Sequence, residues 1–524
     1  MKMDEYYYLT ISKAGDLKNL KERILYRCFE IFPGFMSLGI LFLMFFLSWL
    51  KPLWIAVFII LFVIFWFFRT IYFSFHLRAG YKKMAEAEKT DWIKKLSELP
   101  VSEYQLSTVK NWGELYHLVV FPMYKESLEI VRDAFNSLKN SDYPNDKMIV
   151  VLACEERARD SVSDTAQEIE REFGSEFYRF LVAWHPANIP GEISGKGSNE
   201  AWASKKAKEL IIDSLGISYE KIIFSSFDAD TCISPKYFSC LAYRYLTSKN
   251  PVRTSFQPIP LFINNIWQAP VVSRVFSFSS TFWHTMNQER AEKLITFSSH
   301  SMSFQALADV GFQQTNIVSE DSRIFWQCFL KYDGDYKVQP LYYPVSMDAN
   351  VAKSFIRTMI NIYKQQRRWA YGVADIPYFL FGFYKNKKIP LFKKLSLGWE
   401  LIEGHISWAT ASIMIFLLGW LPLALGGSEF SQTLISYNLP KIVSRIMTVV
   451  MIGLVGSAYL SLILLPPRPP SYGRFKYVVF LFGWVLFPFT MIFFTALPAL
   501  DAQIRLLLGR YMGFWVTEKV RKDN

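Results

Sequence analysis

The run Ile31 to Leu50 carries no charge, and it constrains this chain more than any other stretch. As a helix it is long enough to cross a hydrocarbon core of about 30 Å. Lipid gives the backbone no water to bond with, so such a run is expected to be a transmembrane helix, its hydrogen bonds closed internally. Lys51-Pro52 breaks it, and a second apolar run from Leu53 reaches Arg69, placed to snorkel, and continues toward Phe75. Residues 31–75 are thus expected to form a transmembrane hairpin. Lys18, Lys21, Arg23 and Arg27 precede it and Arg69, Arg78, Lys82 and Lys83 follow it, which puts both ends on the cytoplasmic side. Ahead of it, Asp16 to Phe29 sets Leu17, Leu20, Ile24, Leu25 and Cys28 at helical spacing among basic residues. Residues 1–30 therefore read as a basic amphipathic segment on the membrane surface, with no cleavable signal peptide.

At 51% apolar and 17% aromatic over 524 residues, the composition is too greasy for an ordinary soluble protein. Basic residues outnumber acidic ones, 58 to 46, but they crowd the flanks of apolar segments; membrane orientation accounts for them, and no nucleic-acid partner is expected. Cys28, Cys154, Cys232, Cys240 and Cys328 are scattered, with no CxxC pair and no His at ligand spacing, which argues against a zinc site or a disulfide framework.

From about Lys89 to Gln339 no segment is long and apolar enough to span. Leu118 to Phe121, Met148 to Leu152 and Ile222 to Phe227 are continuous hydrophobic strands separated by helical segments, the pattern of a mostly parallel sheet covered on both faces. In such an α/β domain ligands bind at the carboxyl ends of the strands. Farther on, Ile376 to Phe383 suits an interface helix, while His405 to Gly426 and Ile446 to Pro466 read as spanning helices. A third run, Tyr477 to Leu500, contains Pro488 and Pro498.

The strand ends carry the chemistry. Phe227-Asp228-Ala229-Asp230 closes the third strand, where residues two apart point to one side, so both carboxylates are expected to face one divalent cation and the diphosphate it bridges. A solvated turn is the plainer alternative. Val318-Ser319-Glu320-Asp321-Ser322-Arg323 opens an amphipathic helix, capped by Ser319 or Asp321, whose dipole favours the charged form of a carboxylate at that end. Such a carboxylate can act as a base. In Gly191 to Trp202, glycines on both sides of Lys196 let the backbone approach a ligand closely while the ammonium meets phosphate; a loop leading into a helix capped by Ser198 or Asn199 fits as well. Tyr124 and Glu126 end the first strand, where a ring can stack on a base and a carboxylate accept from base or ribose. Glu155 and Glu156 end the second, where an acidic group could read a uracil N–H. Gln365, Arg368 and Trp369 share a helix face, set either to bind pyrophosphate and an acceptor sugar or to anchor an interfacial helix.

Taken together these residues resemble the processive, membrane-embedded family-2 glycosyltransferases, the group containing cellulose and hyaluronan synthases. The likeness runs in motif order from about Leu118 to Trp369. It comprises PMYKE where the family has P-x-Y-N-E, acidic residues after the second strand, GKGSN, DAD, SED where the family has T-E-D, and QxxRW as Gln365 to Trp369. Phe514 to Lys519 looks like the F-x-V-T-x-K gating loop of cellulose synthases.

The resemblance implies a GT-A-type, Rossmann-like, cytosolic glycosyltransferase domain over 89–350, inserted between N-terminal and C-terminal transmembrane helices. Interface helices carrying QxxRW follow over 351–395, then a transmembrane region over 396–500 and a cytosolic basic tail over 501–524. It implies an inverting, metal-dependent enzyme of the inner or plasma membrane that elongates a polysaccharide from a UDP-sugar and passes it across the bilayer. By the same resemblance Asp321 is the general base, and Asp230 with Asp228 holds Mg2+ or Mn2+ on the diphosphate. Lys196 and Arg368 bind phosphate; Tyr124, Glu126 and Glu155 or Glu156 hold the nucleoside. Glu320, Gln365 and Trp369 meet the acceptor, and Thr517 and Lys519 the nucleotide in the closed state.

Lys125 departs from the family's asparagine, and Ile295 to Ser303 lacks the glycine and arginine often found there, leaving His300 as an acceptor contact or a satisfied core residue. Transfer of a single sugar to a lipid-linked acceptor and a non-catalytic membrane scaffold are the alternatives. Partners are then the UDP-sugar, a growing glycan or lipid-linked acceptor, and membrane lipid, with a further subunit or second copy left open. Three spans after the catalytic domain would leave Thr517 and Lys519 outside, whereas Arg505, Arg510, Lys519, Arg521 and Lys522 favour the inside; Tyr477 to Leu500 is therefore expected to be re-entrant or interfacial.

Overall fold

The computed structural model describes residues 4–517 and 521. Its centre is an eight-stranded sheet of β1 (Tyr116–Met123), β2 (Met148–Glu155), β3 (Arg179–His185), β4 (Ile222–Ser226), β5 (Cys232–Ile233), β6 (Thr254–Phe262), β7 (Ser301–Ser303) and β8 (Lys337–Met347). The order is β3-β2-β1-β4-β7-β6-β8-β5. β1, β2 and β4 stand where the continuous apolar runs place them, and with β3 they are parallel. Leu118, Val120, Ile149 and Val151 point into one buried cluster and Val119, Phe121, Val150 and Leu152 into another, so both faces are covered and neither shows a polar alternation.

The other half is mixed. β7 runs antiparallel to β4 and β6, and β5 antiparallel to β8. β4 also stops at Ser226, so the acidic pair Asp228 and Asp230 lies beyond the strand and not within its pleat.

Among the described residues four helices are long and apolar enough to cross a membrane: Leu20–Leu50, Pro52–Lys89, Leu434–Ile463 and Phe475–Leu507. The first includes the basic stretch expected to lie separately on the surface. Arg69 does not snorkel but pairs with Glu403, the arrangement that a charge within apolar surroundings requires. A further pair, Leu391–Phe416 and Leu418–Leu425, is bent by 48°, so the His405 to Gly426 run is not one straight helix. Contacts order these helices. A Cβ on Gly426 would meet Pro52 Cβ, at the tip of the N-terminal hairpin, at 2.8 Å, and Phe430 packs with Ile55. At the other end of Leu434–Ile463, Ala458 packs with Ile266 and Trp267 of the sheet domain. Phe475–Leu507 lies along that domain: Phe480 and Trp484 pack with Ile266 and Phe278, Phe494 with Val272, Phe276 and Ile362, and Asp501 pairs with Arg367 at 2.9 Å.

One buried arginine ties these layers together. Arg323, fully buried on the helix Glu320–Lys331, gives Nε to Asp375 Oδ1 at 2.7 Å, Nη2 to the Ala374 carbonyl at 3.0 Å and Nη1 to Gln314 Oε1 at 2.8 Å. Its plane lies 4.0 Å from the Tyr378 ring centroid, and Nη1 also reaches the Ile11 carbonyl of the N-terminal segment at 3.4 Å. Ser322 Oγ donates to the second Asp375 oxygen at 2.6 Å. Removing one partner of such a pair strands a charge away from water, whereas an apolar replacement of both is far better tolerated. Asp375→Ala is expected to lower stability by about 3–5 kcal/mol, and Arg323→Met with Asp375→Leu to recover most of it. Denaturant titration of the three proteins checks this; an additive double variant contradicts it.

Candidate active site

Past β4 the chain turns, and Asp228 comes out beside Lys196, the first residue of the helix Lys196–Ala207. Lys196 is 7% exposed. Its Nζ stands 2.8 Å from Asp228 Oδ1, 3.0 and 3.2 Å from the two Asp321 oxygens, and 3.8 Å from Glu200 Oε1. Burial alone would strip this ammonium of its proton; Asp228, then Asp321 and Glu200, outweigh that and hold it charged well above the ordinary lysine range. Asp321 lies in the first turn of Glu320–Lys331, as expected, but Ser319 at the cap makes no side-chain cap bond.

The glycines flanking Lys196 make room for this contact. A Cβ on Gly197 would stand 2.9 Å from Glu320 Cβ, and one on Gly195 2.4 Å from Phe514 Cγ. One glycine thus admits the helix of the proposed base and the other the C-terminal tail. Helix capping by Ser198 or Asn199 is not what these residues do: Ser198 Oγ donates to the Ile193 carbonyl at 2.8 Å, and Asn199 Nδ2 to Ala153 in β2 at 2.7 Å.

Two more carboxyls close the cluster. Glu200 is buried with Oε1 accepting from Ser226 Oγ at 2.6 Å; burial raises its pKa well above the usual carboxylate range, against the pull of Lys196. Glu320 has both oxygens buried without a hydrogen-bond partner, and burial, helped by Asp321 and opposed by Lys196 and Arg368, pushes it up to about 8. Burial thus disfavours the charged form of both glutamates, which leaves the two aspartates as the main anionic partners of Lys196. Glu200 was not among the expected site residues, although its place four residues after Lys196 on one helix face was a usable signal. Ser298, whose Oγ donates to Asp228 Oδ2 at 3.0 Å, had none.

Asp230 behaves differently. It is 1% exposed and its Oδ2 accepts the Asp348 N–H at 2.9 Å, while Asp228 faces Lys196 and Ser298. The two carboxylates thus lie on either side of Ala229 in a turn closed by the Thr231 N–H on the Asp228 carbonyl, not on one face of a strand. Both are hard oxygen donors of the kind that Mg2+ or Mn2+ takes together with phosphates and water. Among the described residues no three His, Cys, Asp or Glu side chains converge as a ligand set, so the fit is to a cation shared with a diphosphate and not to an all-protein cage.

His300 lies 3.9 Å from Asp321 Oδ1. The preceding Ser299 has φ of +68°, a left-handed turn that brings the imidazole inward. Burial, opposed by Asp321, lowers its pKa to about 4, so the ring is neutral; Nδ1 sits 3.0 Å from the Phe297 carbonyl, and Nε2 is buried without a partner. It is therefore not a satisfied core histidine.

At the first strand end, Glu126 accepts the backbone N–H groups of Tyr124 and Lys125 at 2.7 and 3.1 Å, bracing the turn. The Arg157 guanidinium covers the Tyr124 ring at 4.2 Å and also pairs with buried Glu155, while Glu156 pairs with Arg159 at 2.7 Å. Arg157 is a site neighbour that the motifs did not pick out. On the helix Phe355–Ala370, Gln365 Oε1 accepts from Asn350 Nδ2 at 3.3 Å, Trp369 packs near Phe262 and Phe276 at 6.0 and 5.9 Å, and Arg368 lies 4.8 Å from the Phe514 ring. Thr517 is buried with Oγ1 unpartnered; Lys519 lies outside the described residues. Arg521 pairs with Asp348, at 2.8 Å, and with Asp133.

Residues 223–497, more than half of the chain, match the model of the family described as glycosyl transferase family group 2. No curated protein matches the chain. Among solved structures, it is similar to a mannosyltransferase, PcManGT, from Pyrobaculum calidifontis in complex with GDP-Man and Mn2+, at 14% identity and a TM-score of 0.40, over 74% of this chain and 99% of that one. It is also similar to TarS from S. aureus at 12% identity and a TM-score of 0.34, over 65% of this chain and 55% of that one.

Glu320 gives the site a stability signature. Its ordinary value of 4.5 applies unfolded and about 8 applies folded, so the folded chain keeps a proton that the unfolded chain has released. The stability this contributes is full below pH 4.5 and is lost as pH rises through 8. In Glu320→Gln the loss should be absent, so that melting temperatures of variant and parent diverge progressively from pH 5 to 8. Parallel pH profiles contradict the assignment.

Proposed function

The chain belongs to glycosyl transferase family group 2 and is a glycosyltransferase, and on that premise we propose that it transfers sugar from a UDP-sugar to a growing glycan, with inversion. The observation that carries the reading is the Lys196 ammonium held between Asp228 and Asp321. In the proposed reaction the donor diphosphate enters beside Asp228, and Lys196, with Arg368, turns from the carboxylates to phosphate oxygens. Freed of the ammonium, Asp321 takes the proton from the acceptor hydroxyl as that oxygen bonds to the anomeric carbon and the bond to the diphosphate breaks. One displacement inverts the configuration. Asp228 and Asp230 would hold Mg2+ or Mn2+, which neutralises charge on the departing diphosphate. Tyr124 and Glu155 are assigned to the nucleoside, Glu320, His300, Gln365 and Trp369 to the acceptor side, and the Phe514 to Thr517 tail to closure over the donor.

In this reading the enzyme elongates its product with the catalytic domain on the cytoplasmic side, which the basic flanks of the hairpin favour. The hairpin Leu20–Leu50 and Pro52–Lys89 crosses twice, the bent pair Leu391–Leu425 runs out to the hairpin tip, and Leu434–Ile463 returns to the sheet domain. Phe475–Leu507, touching that domain at both ends, then lies in the interface. Four crossings return the tail to the side of the sheet, where the basic flanks also place it.

Nucleotide release by the purified chain from a panel of UDP- and GDP-sugars tests the reading. Release is expected from a UDP-sugar with Mn2+ or Mg2+, lost on chelation, and lowered at least about 10-fold in Asp230→Asn. A ladder of long products supports elongation; a single defined glycolipid supports transfer of one sugar instead; no release from any donor contradicts the proposal.

A further inference from the structure

Arg274, on the helix Val271–Asn287, is 4% exposed, and its Nε and Nη1 are buried without a hydrogen-bond partner. Among the described residues it has no carboxylate partner either. One face of the guanidinium lies 4.2 Å from the Phe480 ring centroid. Burial lowers its pKa to about 10, and the group stays cationic at any physiological pH. Lys476 is close enough for the two charges to repel, and its Nζ lies 5.1 Å from the Tyr472 ring. Arg468 and Arg474 stand on the same connection, and no Asp or Glu occurs from residue 430 to residue 500. A buried, unpaired cation costs several kcal/mol in ordinary proteins, so a chain that keeps one beside further cations is built for an anion.

Its position says what kind. The connection from Leu464 to Arg474 joins a helix long and apolar enough to span to one that begins Phe475-Lys476-Tyr477, with Phe475 and Phe482 exposed. Trp267 fixes that connection to the sheet domain, donating Nε1 to the Pro466 carbonyl at 3.2 Å and packing 5.4 Å from Tyr477 and 5.2 Å from Phe480. The Val271–Asn287 helix cannot drift from it, since a Cβ on Gly483 would meet Val271 at 2.8 Å. The cations therefore lie where exposed apolar side chains give way to a polar domain, at the depth of lipid headgroups.

We propose that Arg274 and Lys476 bind the phosphate of a membrane lipid whose chains lie along Phe475 and Phe482. Either a bilayer phospholipid or a lipid-phosphate acceptor carries that group. The site is separate from the Lys196 cluster, and its test does not depend on turnover.

Native mass spectrometry of the detergent-purified full chain, titrated with dioleoyl phosphatidic acid, a polyprenyl monophosphate, phosphatidylcholine or inorganic phosphate, reads the site directly. Both lipid phosphates are expected to bind at least tenfold more tightly than phosphatidylcholine. Arg274→Met should abolish that preference while raising the melting temperature, because an apolar side chain of similar length suits the Phe480 face better than an unpaired cation. Lys476→Gln, on a half-buried position, should weaken binding severalfold without unfolding the protein. Tighter binding of the polyprenyl phosphate assigns the site to an acceptor, and equal binding to bilayer lipid. Binding unchanged in both variants, or inorganic phosphate competing as well as the lipids, overturns the proposal.

Discussion

A single buried ammonium organises the candidate site of this protein. Lys196 is too deeply placed to stay charged without anions around it, and the anions it gathers come from separate parts of the chain: Asp228 from the turn after β4 and Asp321 from the start of a helix, with the Glu200 carboxyl of its own helix alongside. Charge balance thereby does what no hydrophobic contact could. It brings the carboxyl assigned to the donor and the carboxyl assigned to the acceptor to one point, and it does so through a cation for which a diphosphate can compete. Burial raises the pKa of both Glu200 and Glu320 next to the bridge, which limits the repulsion that four ionised carboxylates would suffer.

That arrangement needs a fixed platform for Asp321, and Arg323, two residues on, provides it. Its hydrogen bonds reach the Asp375–Lys385 helix, the Gln314 loop and the N-terminal segment. The segment ahead of the first apolar helix is thereby part of the sheet domain's support. Tyr378 Oη donates to the Leu9 carbonyl at 3.0 Å, which fastens the same segment a second time. The long apolar helices and the sheet domain are thus joined by buried polar contacts as well as by apolar packing.

How much of this was readable beforehand follows from where the signals lie. β1, β2 and β4 are buried on both faces, so their sequences are unbroken apolar runs and stand out; β5 and β7 span two and three residues, too short for any periodicity. Asp228, Lys196 and Asp321 were legible because chemistry and glycine spacing mark them. The geometry of Asp228 and Asp230 was not, because β4 ends at Ser226, two residues before Asp228, and a strand rule was applied to a turn. Asp348 and Arg521 meet only through tertiary folding and left no local trace. In the C-terminal region the prolines drew attention to Tyr477 to Leu500, where short 3-10 and π-helical stretches absorb them. The sharp bend instead falls at Leu417, five residues ahead of Pro422, within a run whose unbroken apolar composition reads as one span.

The account rests on Asp321 as the group that receives the acceptor's proton while Lys196 serves the diphosphate. Comparing Asp321→Asn with the parent for both UDP affinity and sugar transfer tests this most directly. Transfer should fall by about 10²–10⁴-fold, the usual contribution of a general base, while UDP binds as tightly or more tightly, since the amide releases Lys196 for phosphate. Transfer at the parent's rate, or loss of UDP binding in step with transfer, would contradict it.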